Sequence, residues 1–213
     1  MTEEERKTIT QAVQTAKKRI AEAAIASGRK PEDITLVAAT KMNDAERVRA
    51  AIEAGVDVCG ENRVQELLEK YEQHAYDGKP LHFIGTLQTN KVKYLIGKVS
   101  MIESVSSVKL AKVIDKEAAK AGVCQDILLE LNIGREESKL GIDPDEIDSV
   151  IEQVAQLEHV HVRGLMAIPP KTQPNQEKTL YFDRMSQLFI DISAKKYDNI
   201  TMDCLSMGMS ADY

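Results

Sequence analysis

Tryptophan is absent, and Phe and Tyr together make up only 4% of the 213 residues. Base-stacking platforms for single-stranded nucleic acid are therefore excluded. Positive charge is not in excess either. Lys and Arg number 28 against 34 Asp and Glu, a formal net charge of −6, so no nucleic-acid partner is expected. No stretch approaches the ~20 apolar residues of a membrane span. The N-terminal run MTEEERKTITQAVQTAKKRI is charged and amphipathic, without the apolar core of a signal peptide. A cytoplasmic protein with no membrane partner is expected. Cysteine is scarce: Cys59, Cys124 and Cys204 lie far apart, form no C-x-x-C, and sit among apolar neighbours. They read as small buried hydrophobes in a reducing compartment. Among His74, His82, His159 and His161 no two have metal-ligand spacing, so no metal is expected. Ser-His-Asp and P-loop patterns are missing. Glu103 has no carboxylate partner at obvious spacing for paired acid/base work.

What is present is a repeating unit. Hydrophobic residues make up 43% and charged residues 29%, an ordinary globular balance for a chain long enough to bury a core. Residues 2–27 carry Ile9, Ala12, Val13, Ala16, Ile20, Ala23 and Ala24 at helical spacing, with Gly28 as a C-cap. The apolar run 34–39 suits a strand buried on both faces. The helix AERVRAAIEAG follows, capped by Asn43 or Asp44. Strands VDVCG, LHFIG, SMIESV, QDILLELNIG, HVHVRGLMAI and NITMDCLS then alternate with helices in NRVQELLEKYEQ, LQTNKVKYLIG, SVKLAKVIDKEAAKAG, PDEIDSVIEQVAQL and NQEKTLYFDRMSQLFIDISAKK. Seven strands alternating with helices, without a linker, indicate parallel βαβ units in one domain over residues 1–213, with residues 1–28 as a helix packed on it. An open doubly wound sheet would usually show a glycine-rich turn after its first strand, and Ala39-Thr40-Lys41-Met42-Asn43 has no glycine. The α/β fold expected is a (β/α)8 TIM barrel whose last strand is missing from this chain, leaving open edges on the first and seventh strands.

Chemistry in such a barrel collects at the C-terminal strand ends. These carry Thr40-Lys41, Gly60-Glu61-Asn62-Arg63, His82 before Gly85, Glu103-Ser104, Glu130 with Asn132, the run from Arg163 to Pro170, and Ser206-Met207-Gly208-Met209-Ser210. Lys41 follows directly on apolar strand. A stem held in the barrel mouth would be desolvated, which favours the neutral amine that Schiff-base chemistry needs. The same position also suits a lysine that reaches into solvent. The turn at Ser206–Ser210 suits either a phosphate site or an ordinary N-cap at Ser210. His82 suits a satisfied, partly buried histidine or a proton shuttle.

The ordered motifs LVAATK, CGENRVQELLEKY, LHFIGTLQTNKVKYL, ESVSS, LELNIGREESKLGI, VRGLMAIPP and LSMGMSADY are more specific together. They resemble the pyridoxal 5′-phosphate homeostasis protein family, which is similar to the N-terminal barrel domain of alanine racemase. The resemblance runs from the first strand to Tyr213. It implies that the chain binds pyridoxal 5′-phosphate, with Lys41 holding it as a Schiff base. It further implies that Asn62 and Met166 line the pocket, that Ser206 and the backbone at Met207 and Gly208 contact the phosphate, and that His82 is a neighbour. The function implied is non-catalytic: a monomer that carries and buffers the cofactor for client enzymes and supports vitamin B6 and amino-acid homeostasis. The alternative is a racemase-like enzyme. Racemisation needs a base on each face of the α-carbon, and in alanine racemase the second comes from another domain or subunit that this sequence does not contain. Two departures stand out. Family members continue into an eighth strand, with an Arg near the pyridine nitrogen and a Gly-Thr pair at the phosphate. Met42 also stands where a polar or aromatic residue is common.

Overall fold

The computed structural model describes residues 1–136, 140–170 and 177–209. Its helices are α1 (Glu3–Ala26), α2 (Ala45–Ala54), α3 (Val64–Glu72), α4 (Val108–Ala121), α5 (Ile147–Val154) and α6 (Glu177–Ser193). Its strands are β1 (Val37–Ala39), β2 (Val58–Glu61), β3 (Leu81–Phe83), β4 (Met101–Val105), β5 (Gln125–Glu130), β6 (Val160–Ala167) and β7 (Ile200–Met207). Strand order follows chain order from β1 to β7, with parallel pairing at β1–β2, β4–β5, β5–β6 and β6–β7. The chain divides into two compact units at His82/Phe83.

In the first unit, α1 starts at a capping box. Thr2 Oγ1 accepts from the Glu5 N–H at 3.2 Å, while the Glu5 carboxylate accepts from the Thr2 N–H at 2.6 Å. Ile9, Val13, Ala16, Ile20 and Ala24 form the covered face of α1, whereas Ala12 and Ala23 are exposed. The helix packs on α2. Lys17 ties it to the α2–β2 turn, reaching the Gly55 carbonyl at 2.8 Å and Asp57 at 2.7 Å. Asp44 caps α2 by accepting the Arg47 N–H, and Gly55 ends it with φ 106°. β1 is shorter than the apolar run promised, and it is not buried on both faces: Val37 and Ala38 are partly buried and Ala39 is exposed. Its place at the end of the strand order explains this, since only β2 pairs with it.

The second unit holds a small core of Met101, Leu128 and Met166, with Cys204 against it. α4 packs on β4, β5 and β6, and α6 on β6 and β7. α5 buries Ile147, Val150, Ile151 and Val154, a 3.6-residue stripe. β6 steps out of register against β7 between Val162 and Gly164. A Cβ on Gly164 would lie 1.7 Å from the Cys204 carbonyl oxygen, and φ there is 154°, so only glycine fits. The segment 87–97 is not the α-helix expected. Thr89–Tyr94 forms a 3₁₀ turn, with Leu95 as its C-cap. Thr, Asn and Val are poor helix formers, and tight i→i+3 turns suit a connection this short.

The cysteines differ from expectation in one case. Cys59 is buried and Cys204 partly so, but Cys124 is exposed. It lies in the short turn between Gly122, which caps α4, and β5. Among the described residues no helix is long and apolar enough to cross a membrane.

Candidate functional site

In the first unit, β1 and β2 run parallel with Ala39 opposite Gly60, which brings Lys41 and Asn62 to adjacent strand ends. Of the two readings of Lys41, a desolvated stem or one that reaches into solvent, the second is what is seen. β1 stops at Ala39, and Lys41 sits in the following turn, exposed. Its ammonium group has no partner among the described residues. Asn62 is partly buried, and its Oδ1 is buried without a hydrogen bond among the described residues. His82 lies within β3, partly buried.

Beneath Lys41 lies a polar network. Thr40 is buried, and its N–H donates to the Gly60 carbonyl at 2.9 Å. Its hydroxyl donates to Glu61 Oε1 at 2.6 Å. Glu61 is fully buried, and the same Oε1 accepts from Lys70 Nζ at 2.6 Å and Tyr76 OH at 3.0 Å. Lys70 also donates to the Thr40 carbonyl at 2.8 Å and pairs with Glu66 at 2.8 Å. Burial alone would raise the Glu66 carboxyl. Hydrogen bonds from Lys70 and the Met42 N–H outweigh it and hold the group below the usual carboxylate range. Burial, reinforced by Glu61, drives the Tyr76 phenol well above its ordinary value. Met42 adopts φ 61°, uncommon for a residue with a side chain, and is 86% exposed.

In the second unit, Met166 on β6 pairs with Ser206 on β7. Met166 is only 3% exposed and belongs to the core. The Ser206 hydroxyl donates to the buried carboxylate of Glu103 at 2.6 Å. A hydroxyl has one proton, so in this arrangement Ser206 has none left for a phosphate, while backbone N–H groups at this turn are the donors of the kind a phosphate needs. Gly208 sits at φ 107° with open space around it, and Met207 is partly exposed. Ser210 and residues 137–139 of the β5 loop motif lie outside the described residues. Glu130, at the end of β5, is pushed up to about 7 by burial.

Glu66, Lys70 and Tyr76 took no part in the sequence-based site; Glu61 and Glu103 stood there only as strand-end residues without a role, and the bond from Ser206 to Glu103 was not foreseen. The i,i+4 spacing of Glu66 and Lys70 was a visible signal, since it places both on one face of α3.

The residues present fit pyridoxal phosphate in two respects: a free, accessible primary amine at Lys41, and an unsatisfied buried acceptor beside it at Asn62. The comparisons agree. Residues 5–213 match the family model for the alanine racemase N-terminal domain. A pyridoxal phosphate homeostasis protein of Aquifex aeolicus (strain VF5) is 41% identical over 195 residues, which cover 92% of this chain and 85% of that protein. A crystal structure of an unknown protein from Bifidobacterium adolescentis superposes with TM-score 0.93 at 33% identity, covering 100% of this chain and 90% of the other. PipY of Synechococcus elongatus PCC7942, solved with PLP bound, gives TM-score 0.77 at 31% identity, covering 91% and 90%. The chain therefore has the barrel fold of the alanine racemase N-terminal domain, seven parallel strands of it, and belongs to the family of pyridoxal phosphate homeostasis proteins.

Proposed function

We propose that this chain binds pyridoxal phosphate covalently through Lys41 and serves as a non-catalytic carrier of the cofactor, one cofactor-binding domain acting as a cytoplasmic monomer that supplies client enzymes. When bound, the cofactor supplies an aldehyde that condenses with a primary amine. The observation that carries the reading is the contrast between two lysines. Lys70 has its three N–H donors taken by Thr40, Glu61 and Glu66. Lys41, two residues beyond β1, has none of its donors engaged among the described residues. An amine must be free and accessible to attack a carbonyl. Asn62 offers an acceptor on the adjacent strand end. Ser206 and the backbone of Met207 and Gly208 are the proposed phosphate contacts. With the Ser206 proton held by Glu103, the backbone donors would carry more of that contact. Met166 and His82 are the further proposed cofactor neighbours.

The carrier reading is tested by reconstitution. The wild-type chain incubated with pyridoxal phosphate is expected to acquire a visible absorption band that Lys41→Ala lacks. Retention of the band in Lys41→Ala would overturn the assignment. Incubation of the loaded protein with single L-amino acids is expected to yield no D-isomer, and sustained turnover would favour the racemase-like alternative.

A further inference from the structure

We propose that Glu66 and Lys70 are positioning residues that fix the backbone on both sides of Lys41 and so aim its amine; this rests on Lys41 being the cofactor-binding lysine. The peptide plane before the Lys41 Cα carries the Thr40 carbonyl, and Lys70 Nζ donates to it at 2.8 Å. The plane after it carries the Met42 N–H, which donates to Glu66 Oε1 at 2.5 Å. Glu66 and Lys70 are themselves paired at 2.8 Å, one turn apart on α3. Both planes that define the φ and ψ of Lys41 are thus tied to one ion pair. That pair is anchored below by Glu61, which is fully buried.

The left-handed backbone of Met42 is held in part by the same device. With φ at 61°, Met42 sits in a conformation unfavourable for a residue with a Cβ. Its side chain is 86% exposed and packs against nothing that would hold it there. The turn bond from the Asn43 N–H to the Thr40 carbonyl at 3.3 Å and the charge-assisted bond to Glu66 together reward the conformation. An exposed lysine on an unrestrained turn would sample many directions. A lysine whose flanking peptides are pinned has its Cα–Cβ bond fixed in one direction, which lowers the backbone part of the entropy lost when the amine condenses with a bound aldehyde.

The test compares Glu66→Ala, Glu66→Gln and Lys41→Ala with the wild-type chain. Three readouts are taken: the rate of pyridoxal phosphate capture as borohydride-fixed label, the thermal midpoint of the cofactor-free protein, and the rate of reductive methylation of Lys41 by formaldehyde. Loss of a charge-assisted backbone bond predicts about tenfold slower capture in Glu66→Ala. Its thermal midpoint should stay near wild type, because Lys70 keeps Glu61 and Thr40. Methylation should be unchanged, because formaldehyde needs no aim. Glu66→Gln keeps an acceptor for the Met42 N–H and should recover most of the capture rate. Wild-type capture by Glu66→Ala overturns the proposal. So does equal slowing in both variants with a lowered midpoint, which is the mark of a purely structural role. Capture that survives Lys41→Ala overturns the underlying lysine assignment instead, so the two failures are distinguishable.

Discussion

Glu130 ends β5 with its carboxyl held up by burial, and replacing it with glutamine should reshape the pH dependence of stability. Burial moves the group from its ordinary 4.5 to about 7. Below about pH 4.5 the carboxyl is protonated in both folded and unfolded chains and has no effect on the balance. Between about 4.5 and 7 the unfolded chain releases the proton while the folded chain keeps it. The folded state then binds more protons, so stability falls as pH rises through this window, and the loss is complete above pH 7. At about 1.4 kcal/mol per unit, the ceiling is about 3.5 kcal/mol, reduced where solvent reaches the side chain. Glu130→Gln preserves shape and removes the titration. Urea unfolding of both proteins from pH 4 to pH 8, with the slopes compared to exclude denatured-state effects, isolates Glu130 from the other titrating carboxylates. The variant should match the wild type near pH 4, exceed it increasingly up to about pH 7, and keep a constant margin above that. A stability difference that stays flat across the range would refute the reasoning.

Gly164→Ala would force a Cβ within 1.7 Å of a backbone oxygen, and a loss of more than about 2 kcal/mol in urea unfolding is expected. Lys70→Met leaves the Glu61 carboxylate buried beside only Thr40 and Tyr76 and should cost about 3–5 kcal/mol by the same assay. Removing Glu61 as well should restore part of that loss. Of the cysteines, exposed Cys124 should react with a maleimide in the folded protein while fully buried Cys59 reacts only on unfolding, which peptide mapping after timed labelling will read.

Much of the fold was legible because hydrophobic periodicity survives in single elements. Ile147, Val150, Ile151 and Val154 announce α5, and Asp44 with Gly55 bracket α2. The short extent of β1 was not legible, because burial on both faces depends on neighbours rather than on the run itself. The turn at Thr89–Tyr94 misled for a related reason: Val92 and Leu95 have helical spacing, but the local residues favour a tighter coil. At the site, Lys41 and Asn62 were readable as strand-end residues. The Glu61–Lys70–Thr40 network was not, because it joins three elements separated by up to 30 positions. Ser206 was readable as a polar turn residue, but its partner Glu103 stands 103 positions away on another strand, and no spacing rule connects them. The Met42 departure also gained a meaning only in three dimensions, where its N–H rather than its side chain matters.

The most direct measurement of the central claim is a peptide map of the wild-type chain loaded with pyridoxal phosphate and reduced with borohydride. A single modified site at Lys41, with Lys70 unlabelled, is the predicted result. Label at Lys70, label spread over the exposed lysines, or no stable label would contradict it.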